Sequence, residues 1–238
     1  MPAAVSSTRA PTATSIITRR TTARWIFMDS VSLPTVGKSQ VVRLDSVTST
    51  QDAARDMAIG SIVIANHQTA GRGRLERRWE APPGTALLAS FVLHPNPLLS
   101  LAAGVAAAEA CGEAVRLKWP NDLLLAGLKL GGVLVEAKQG KAICGIGINL
   151  TWAPVGAAKL DLPADELLDR LRERIEVWTA APPDTVLDRW RRLSATLGRR
   201  VRLELSGKTT EGLAEDVGPN GELIVDGVPF FAGSVTHL

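Results

Sequence analysis

Between Val115 and Leu150 the chain reverses direction repeatedly, and this stretch constrains the fold more than any other. Val115–Trp119 reads as a short strand that runs into the turn residues Pro120-Asn121-Asp122. Leu123–Leu125 and Val133–Lys138 flank a turn at Ala126-Gly127, Gly140 makes the next turn, and Ala142–Leu150 returns as a strand. Apolar and β-branched runs punctuated by Gly and Asn are the pattern of hairpins, because those residues reach the backbone conformations that tight reversals need.

The flanking segments add helices. Val41–Leu44 alternates as a short strand; Thr50 or Asp52 caps a helix expected to run to about Ile59, where Gly60 stops it. Ser61–Asn66 and Thr85–Leu93 are strands on either side of a polar loop rich in Gly and Arg, which closes at Pro82-Pro83-Gly84. Leu98–Cys111 is a helix of small apolar residues ended by Gly112. Asp165–Trp178 and Asp184–Leu197 repeat apolar residues at helical spacing, and Gly198 ends the second. Beyond it, Val201–Leu205, Thr209–Asp216, Leu223–Val225 and Pro229–Phe231 are short strands between Gly and Asn turns, which suits a small β-barrel. The expected fold is α+β: a mixed, mostly antiparallel sheet flanked by helices over residues 41–197, and a small barrel over 198–238.

Charge and composition narrow the function. The formal charge of +3 and the basic pI invite a nucleic-acid reading. Residues 1–28, however, hold Arg9, Arg19, Arg20 and Arg24 and no acid, leaving 23 basic and 24 acidic residues, a net of −1, for the rest. The basicity belongs to the terminal segment. Residues 1–40 read as a disordered or mis-started extension, with a transit peptide as the alternative; Met28 opens a plausible start, and the segment lacks the continuous apolar core of a secretory signal. Cys111 and Cys144 have no metal-type spacing and read as buried reduced thiols, which suits the cytoplasm. His67, His94 and His237 are scattered, so no protein-bound metal site is expected, and Leu98–Cys111 is too short to span a bilayer.

Chemistry gathers in four segments. Gly71-Arg72-Gly73-Arg74-Leu75-Glu76-Arg77-Arg78-Trp79 joins guanidinium groups, which pair with carboxylate and phosphate oxygens, to glycines that let backbone approach an anion. The same loop alone is equally the signature of a solvated basic loop that binds RNA. Lys118-Trp119-Pro120-Asn121-Asp122 gathers polar groups at a strand end, although Asn121-Asp122 also suits a simple turn. Lys129-Leu130-Gly131-Gly132-Val133-Leu134-Val135-Glu136 has paired glycines inside a strand, a sign of close approach by a ligand or another backbone, or of a β-bulge beside a surface lysine. Gly145-Ile146-Gly147-Ile148-Asn149 carries a GxG without the third glycine of a dinucleotide fingerprint, and Val36-Gly37-Lys38-Ser39 lacks the leading glycine of a P-loop.

The order GRGRxxRxW, KWPND, KxGGxLxE, GIGxN resembles the catalytic domain of biotin protein ligases. The motifs run from about Val41 to Asn149, and the likeness continues through two helices and a small terminal barrel. The resemblance implies a class II synthetase-like catalytic domain with an SH3-like C-terminal barrel. It implies a biotin pocket from Ser49, Thr50, Gln51, Gln68, Arg72, Gly73, Arg74, Lys129, Gly131 and Gly132. Gln51 stands where the family usually has Asn and keeps the amide on a longer stem. ATP contacts are implied for Arg72, Arg74, Arg77, Trp79, Lys118, Asn121 and Asn149, with Lys129, Arg74 and Asp122 as the catalytic set.

The implied chemistry activates biotin with ATP and Mg²⁺ as an adenylate, then biotinylates a lysine on the carrier domain of an acyl-CoA carboxylase. Arg72, Arg74 and Lys129 would screen the meeting of two anions, Asp122 would orient or deprotonate the acceptor amine, and residues 70–79 would be mobile until ligand binds. The short segment before residue 41 shows no amphipathic helix pair, so operator binding is not expected, nor is membrane association; a monomer or weak homodimer is. A lipoate or octanoate ligase is similar in fold, and a nucleic-acid-binding module is the alternative of a different class.

Overall fold

The computed structural model describes residues 39–75 and 77–238, so the expectation for residues 1–40 falls almost wholly outside the described part. Strand β1 (Val41–Val47) pairs in parallel with β2 (Ile62–Gln68), and residues 48–61 form the crossover between them. Helix α1 (Thr50–Ala53) is a single turn, opened by Ser49, whose hydroxyl accepts the Gln51 N–H at 3.3 Å. The helix expected to reach Ile59 therefore ends early. After Ala53 the chain tightens into turns, Arg55 N–H to the Asp52 carbonyl and Met57 N–H to that of Ala54, both at 3.1 Å. These turns drop Ala54 and Met57 into a small apolar cluster with Val63, Val92 and Ile143, and that burial outweighs continuing an isolated helix.

Strands β3 (Ala86–Leu93), β4 (Arg116–Lys118), β5 (Asp122–Leu125), β6 (Leu128–Lys138) and β7 (Lys141–Asn149) complete a seven-stranded sheet in the order β1-β2-β3-β7-β6-β5-β4. All of its pairings except β1 with β2 are antiparallel, as the hairpin pattern requires. Helix α2 (Leu99–Cys111) is buried along almost its whole length between the sheet and two amphipathic helices, α3 (Ala164–Ala180) and α4 (Pro183–Leu193). A helix apolar on nearly all sides is stable in water only when enclosed in this way. Side chains alternate across a strand, so Cys144, Ile146 and Ile148 of β7 enter the core while Gly145 and Gly147 look out from the opposite face.

Helix α4 stops at Leu193, short of the expected Leu197. The Ser194 hydroxyl accepts the N–H groups of Thr196 and Leu197, and Ala195 donates to the Leu117 carbonyl at 2.7 Å, so the segment runs along β4 instead. Strands β8 (Arg200–Leu205), β9 (Lys208–Val217), β10 (Leu223–Val225), β11 (Val228–Phe230) and β12 (Ser234–His237) form a five-stranded antiparallel sheet in the order β11-β10-β9-β8-β12. β12 is absent from the sequence reading because only Val235 within it joins the core.

The two sheets share one apolar core that joins Leu117, Trp119 and Trp190 to Leu203, Val217 and Val225. Polar contacts fix their relation. The Trp119 indole N–H donates to the Gly221 carbonyl at 3.0 Å, and Arg191 pairs with Asp216 at 2.7 Å. No helix among the described residues is long and apolar enough to cross a membrane.

Candidate active site

A cleft of about 290 Å³ opens on the face of the larger sheet opposite the helices, where β3, β6 and β7 meet the arginine loop and the ends of β4 and β12. Of the residues singled out in the sequence, Ser49, Thr50, Gln51, Gln68, Arg72, Gly73, Arg74, Arg77, Trp79, Lys118, Asn121, Asp122, Lys129, Gly132 and Asn149 all line it. Gly131 does not. Its Cβ would lie 2.5 Å from the Gly147 carbonyl oxygen, so glycine is needed there for strand packing rather than for the ligand.

The first part of the site is a network of amides and hydroxyls. Gln68 Oε1 accepts both the Thr50 N–H, at 2.7 Å, and the Thr50 hydroxyl, at 3.0 Å, while Ser90 donates to Thr50 Oγ1 at 2.8 Å. This ties the helix turn at residues 49–51 to the end of β2. The Gln51 side chain is 3% exposed, and its Nε2 donates to the Leu134 carbonyl at 2.9 Å. Its Oε1 is buried and has no hydrogen-bond partner. A buried acceptor left unpaired is destabilising by about 1–3 kcal/mol, so a donor brought to this position would be held favourably.

Two glycines of the fourth motif, given no site role from sequence, explain how these groups fit. A Cβ on Gly145 would sit 3.0 Å from Gln51 Nε2, and one on Gly147 would sit 2.7 Å from the Trp79 ring. The glycines of GIGxN thus make a bare strip of β7 on which the glutamine amide and the indole lie. The Trp79 indole N–H is likewise buried without a partner. The signal was present as alternating glycines on one strand face, but only the register across the sheet reveals what rests on them.

The arginine loop is a small hairpin, closed by Gly73 N–H to the Arg77 carbonyl at 2.7 Å and Trp79 N–H to that of Gly71 at 3.0 Å. Arg72 does not face the cleft as a free cation. It pairs with Asp52 at 2.6 Å and Glu136 at 3.3 Å. The hydrogen bond from Arg72 is the main reason the Asp52 carboxyl is held below its ordinary range, and the same bond raises Arg72. Arg74 and Arg77 have no carboxylate partner among the described ion pairs. Burial lowers the Arg74 pKa, and the nearby Asp122 opposes that shift in part. Arg77 donates to Ser234 Oγ on β12 at 3.1 Å.

The strand-end segment completes a cationic group. Lys129 Nζ donates to Asp122 Oδ1 at 2.6 Å. Lys118 is pushed below its ordinary value chiefly by burial, with Lys129 and Arg77 adding repulsion and Asp122 resisting it. Asn121 spends its amide on the Val133 carbonyl at 2.8 Å, which braces β5 against β6. Asn149, 3% exposed, donates to the Ala158 carbonyl at 2.9 Å and holds the segment that brings Pro154 and Ala157 to the cleft. Gly233, Ser234 and Val235 of the second sheet also line the cleft, a contribution the sequence reading missed.

The cleft therefore combines an apolar strip bearing an orphan acceptor and an orphan donor with a cluster of cations suited to phosphate. Among the described residues no group of three His, Cys, Asp or Glu is placed to hold a metal ion. A sequence model of the Biotin/lipoate A/B protein ligase family matches residues 41–151, and one of the Biotin protein ligase C terminal domain matches residues 196–236. A biotin--[acetyl-CoA-carboxylase] ligase of Mycobacterium tuberculosis is 36% identical over 212 residues, 75% of this chain and 79% of that protein. The bifunctional ligase/repressor BirA of Escherichia coli is 31% identical over 220 residues, 78% and 68% of the two chains. The structure of a biotin protein ligase from Aquifex aeolicus in complex with biotin and ATP superposes with a TM-score of 0.73 at 27% identity, covering 84% of this chain and 98% of that one.

Proposed function

The chain belongs to the biotin protein ligase family, and from that premise we propose that it joins biotin to ATP as biotinyl-5′-AMP and transfers the biotinyl group to a lysine of an acyl-CoA carboxylase carrier domain. The observation that carries the choice of acid is the buried, unpartnered Gln51 Oε1. The ureido ring of biotin offers N–H donors to such an acceptor, whereas the dithiolane of lipoate and the alkyl chain of octanoate offer none. A site with a buried group awaiting a donor rejects analogues that lack it, because the group then stays unpaired.

In the first step a biotin carboxylate oxygen attacks the α-phosphorus and pyrophosphate leaves. Arg74 and Lys129 stabilise the charge that builds on the phosphoryl oxygens, and Lys118 and Arg77 neutralise the polyphosphate. Asp122 and Glu80 are the carboxylates near this group, so a Mg²⁺ ion would arrive with the nucleotide and be held mainly by phosphate oxygens. In the second step the carrier lysine amine attacks the anhydride carbonyl and AMP leaves. Asp122, already aligned by Lys129, orients that amine and receives its proton. Arg72 serves the reaction through the loop it anchors rather than as a phosphate ligand.

We further read the enzyme as cytoplasmic and monomeric or weakly dimeric, without DNA or membrane partners. Two free, buried cysteines suit a reducing compartment. The deciding experiment incubates the chain with ATP, Mg²⁺ and a carrier domain, offering biotin, lipoate or octanoate, and weighs the carrier. A mass gain equal to one biotinyl group, with biotin alone, is expected. A gain with lipoate or octanoate in place of biotin would overturn the reading.

A further inference from the structure

The second sheet reaches the cleft at Gly233, Ser234 and Val235, and a hydrogen bond there joins it to the arginine loop. Arg77 Nη2 donates to Ser234 Oγ at 3.1 Å. Ser234 is a fixed point. It sits in register with Glu204 on β8, and β12 ends at His237, whose Nε2 pairs with Thr196 Oγ1 at 3.2 Å. The same Thr196 oxygen accepts the Trp119 N–H at 3.1 Å, so β12 is tied to the strand-end motif that carries Lys118 and Asp122. Gly233 permits the approach: its φ is +145°, and a Cβ there would lie 2.9 Å from Leu203 Cδ2.

Arg77 is the opposite kind of group. It lies at the turn of the hairpin, its own N–H bonded only to the Arg74 carbonyl at 3.2 Å, and it has no carboxylate partner among the described ion pairs. Its charge is close enough to Lys118 to depress the ionisation of that lysine. A long cation repelled by its neighbours holds one geometry only if something pins it. A neutral hydroxyl does so without cancelling the charge, leaving most of the five guanidinium donors for an anion.

We infer that Ser234 is a positioning residue for Arg77: it holds the guanidinium beside Lys118 to receive the β- and γ-phosphates of the nucleotide. This rests on the ligase reading above. A hydroxyl that pins an arginine over a polyphosphate acts on ATP affinity, while the Gln51 side of the cleft, which would hold biotin, is untouched.

The experiment uses the full chain and four forms: wild type, Ser234→Ala, Arg77→Ala and the double variant, with Ser234→Thr as the conservative control. Adenylation is followed as biotin-dependent release of pyrophosphate, and biotin binding without ATP by calorimetry. Ser234→Ala is expected to raise KM for ATP about three- to tenfold, the range of an ordinary net hydrogen bond, and to leave biotin affinity unchanged. Ser234→Thr restores the wild-type KM. The double variant matches Arg77→Ala alone, because the serine acts through the arginine. Additive losses, an unchanged KM for ATP, or a loss of biotin affinity in Ser234→Ala would overturn the inference. A wild-type chain that releases no pyrophosphate with biotin would instead refute the ligase reading.

Discussion

Lys129 and Asp122 meet at 2.6 Å across the hairpin of β5 and β6, a cation and a carboxylate that both line the cleft. The pair is partly exposed, with side-chain accessibilities of 44% and 22%, so it contributes little to stability, about 0–1 kcal/mol. On the proposed mechanism the pair holds the two roles at a fixed separation before either substrate arrives.

Lys129→Ala therefore separates chemistry from folding. Biotin-dependent pyrophosphate release should fall by about a hundred- to a thousandfold, the scale of removing one preorganised charge from a transition state. The circular dichroism spectrum and thermal midpoint should stay near those of the wild type. Adenylation at the wild-type rate would remove Lys129 from the mechanism.

The orphan acceptor predicts a matched pair of variants. Gln51→Leu should weaken biotin binding about ten- to a hundredfold by deleting the acceptor. Gly145→Ala should do the same without touching the amide itself, because the new methyl would press on Gln51 at 3.0 Å. Calorimetric titration with biotin measures both, and a Gly145→Ala protein that binds normally would show that the amide has room to shift.

Arg74 carries charge into the cleft without an ion-pair partner among the described residues, with Asp122 nearby. Arg74→Gly should release the adenylate about ten- to a hundredfold faster, since charge-assisted contacts to its phosphate are lost. Diffuse biotinylation of bystander lysines, detected by streptavidin blotting, should rise in step.

Arg72 is bound differently, to Asp52 and Glu136, and anchors the loop. Residues 70–79 should exchange amide hydrogens quickly in the free protein and slowly with biotin and ATP bound. Asp52→Asn should speed exchange in both states. Because the Asp52 pKa is depressed in the fold, its contribution is present above the ordinary carboxylate value of 3.8 and is lost as pH falls below it. The anchor is therefore intact at neutral pH.

His237 gives a second pH dependence. Burial lowers its pKa below 6.5, and Lys118 and Arg199 add repulsion, so the fold prefers the neutral ring. A base with a depressed folded pKa stabilises above its unfolded value and loses that contribution as pH falls through the folded one. Thermal stability should decline from about pH 6.5 downward, and His237→Gln should flatten that decline. An identical pH profile in the variant would mean that other groups govern it.

Much of this protein is written in local pattern. The hairpin series from Val115 to Leu150, the apolar helix before Gly112 and the four ordered motifs needed no coordinates, because turn chemistry, side-chain periodicity and motif spacing are properties of neighbouring residues. They led to most of the residues that line the cleft, though not to Pro154, Ala157 or the three from the second sheet. Other features depended on partners distant in the chain. Burial against Val63 and Val92 ended α1 early, and the neighbouring strand claimed Gly131. Arg72 and Arg74 look alike in GRGR, yet carboxylates some twenty and sixty residues away engage one and leave the other free. Ser234 bears no motif at all and acquires its place only because β12 docks beside the arginine loop. Sequence determined which chemistry gathers, since that follows from residue type and spacing; tertiary structure decided which charges stay unpaired and what holds them, since that depends on contacts no local pattern encodes.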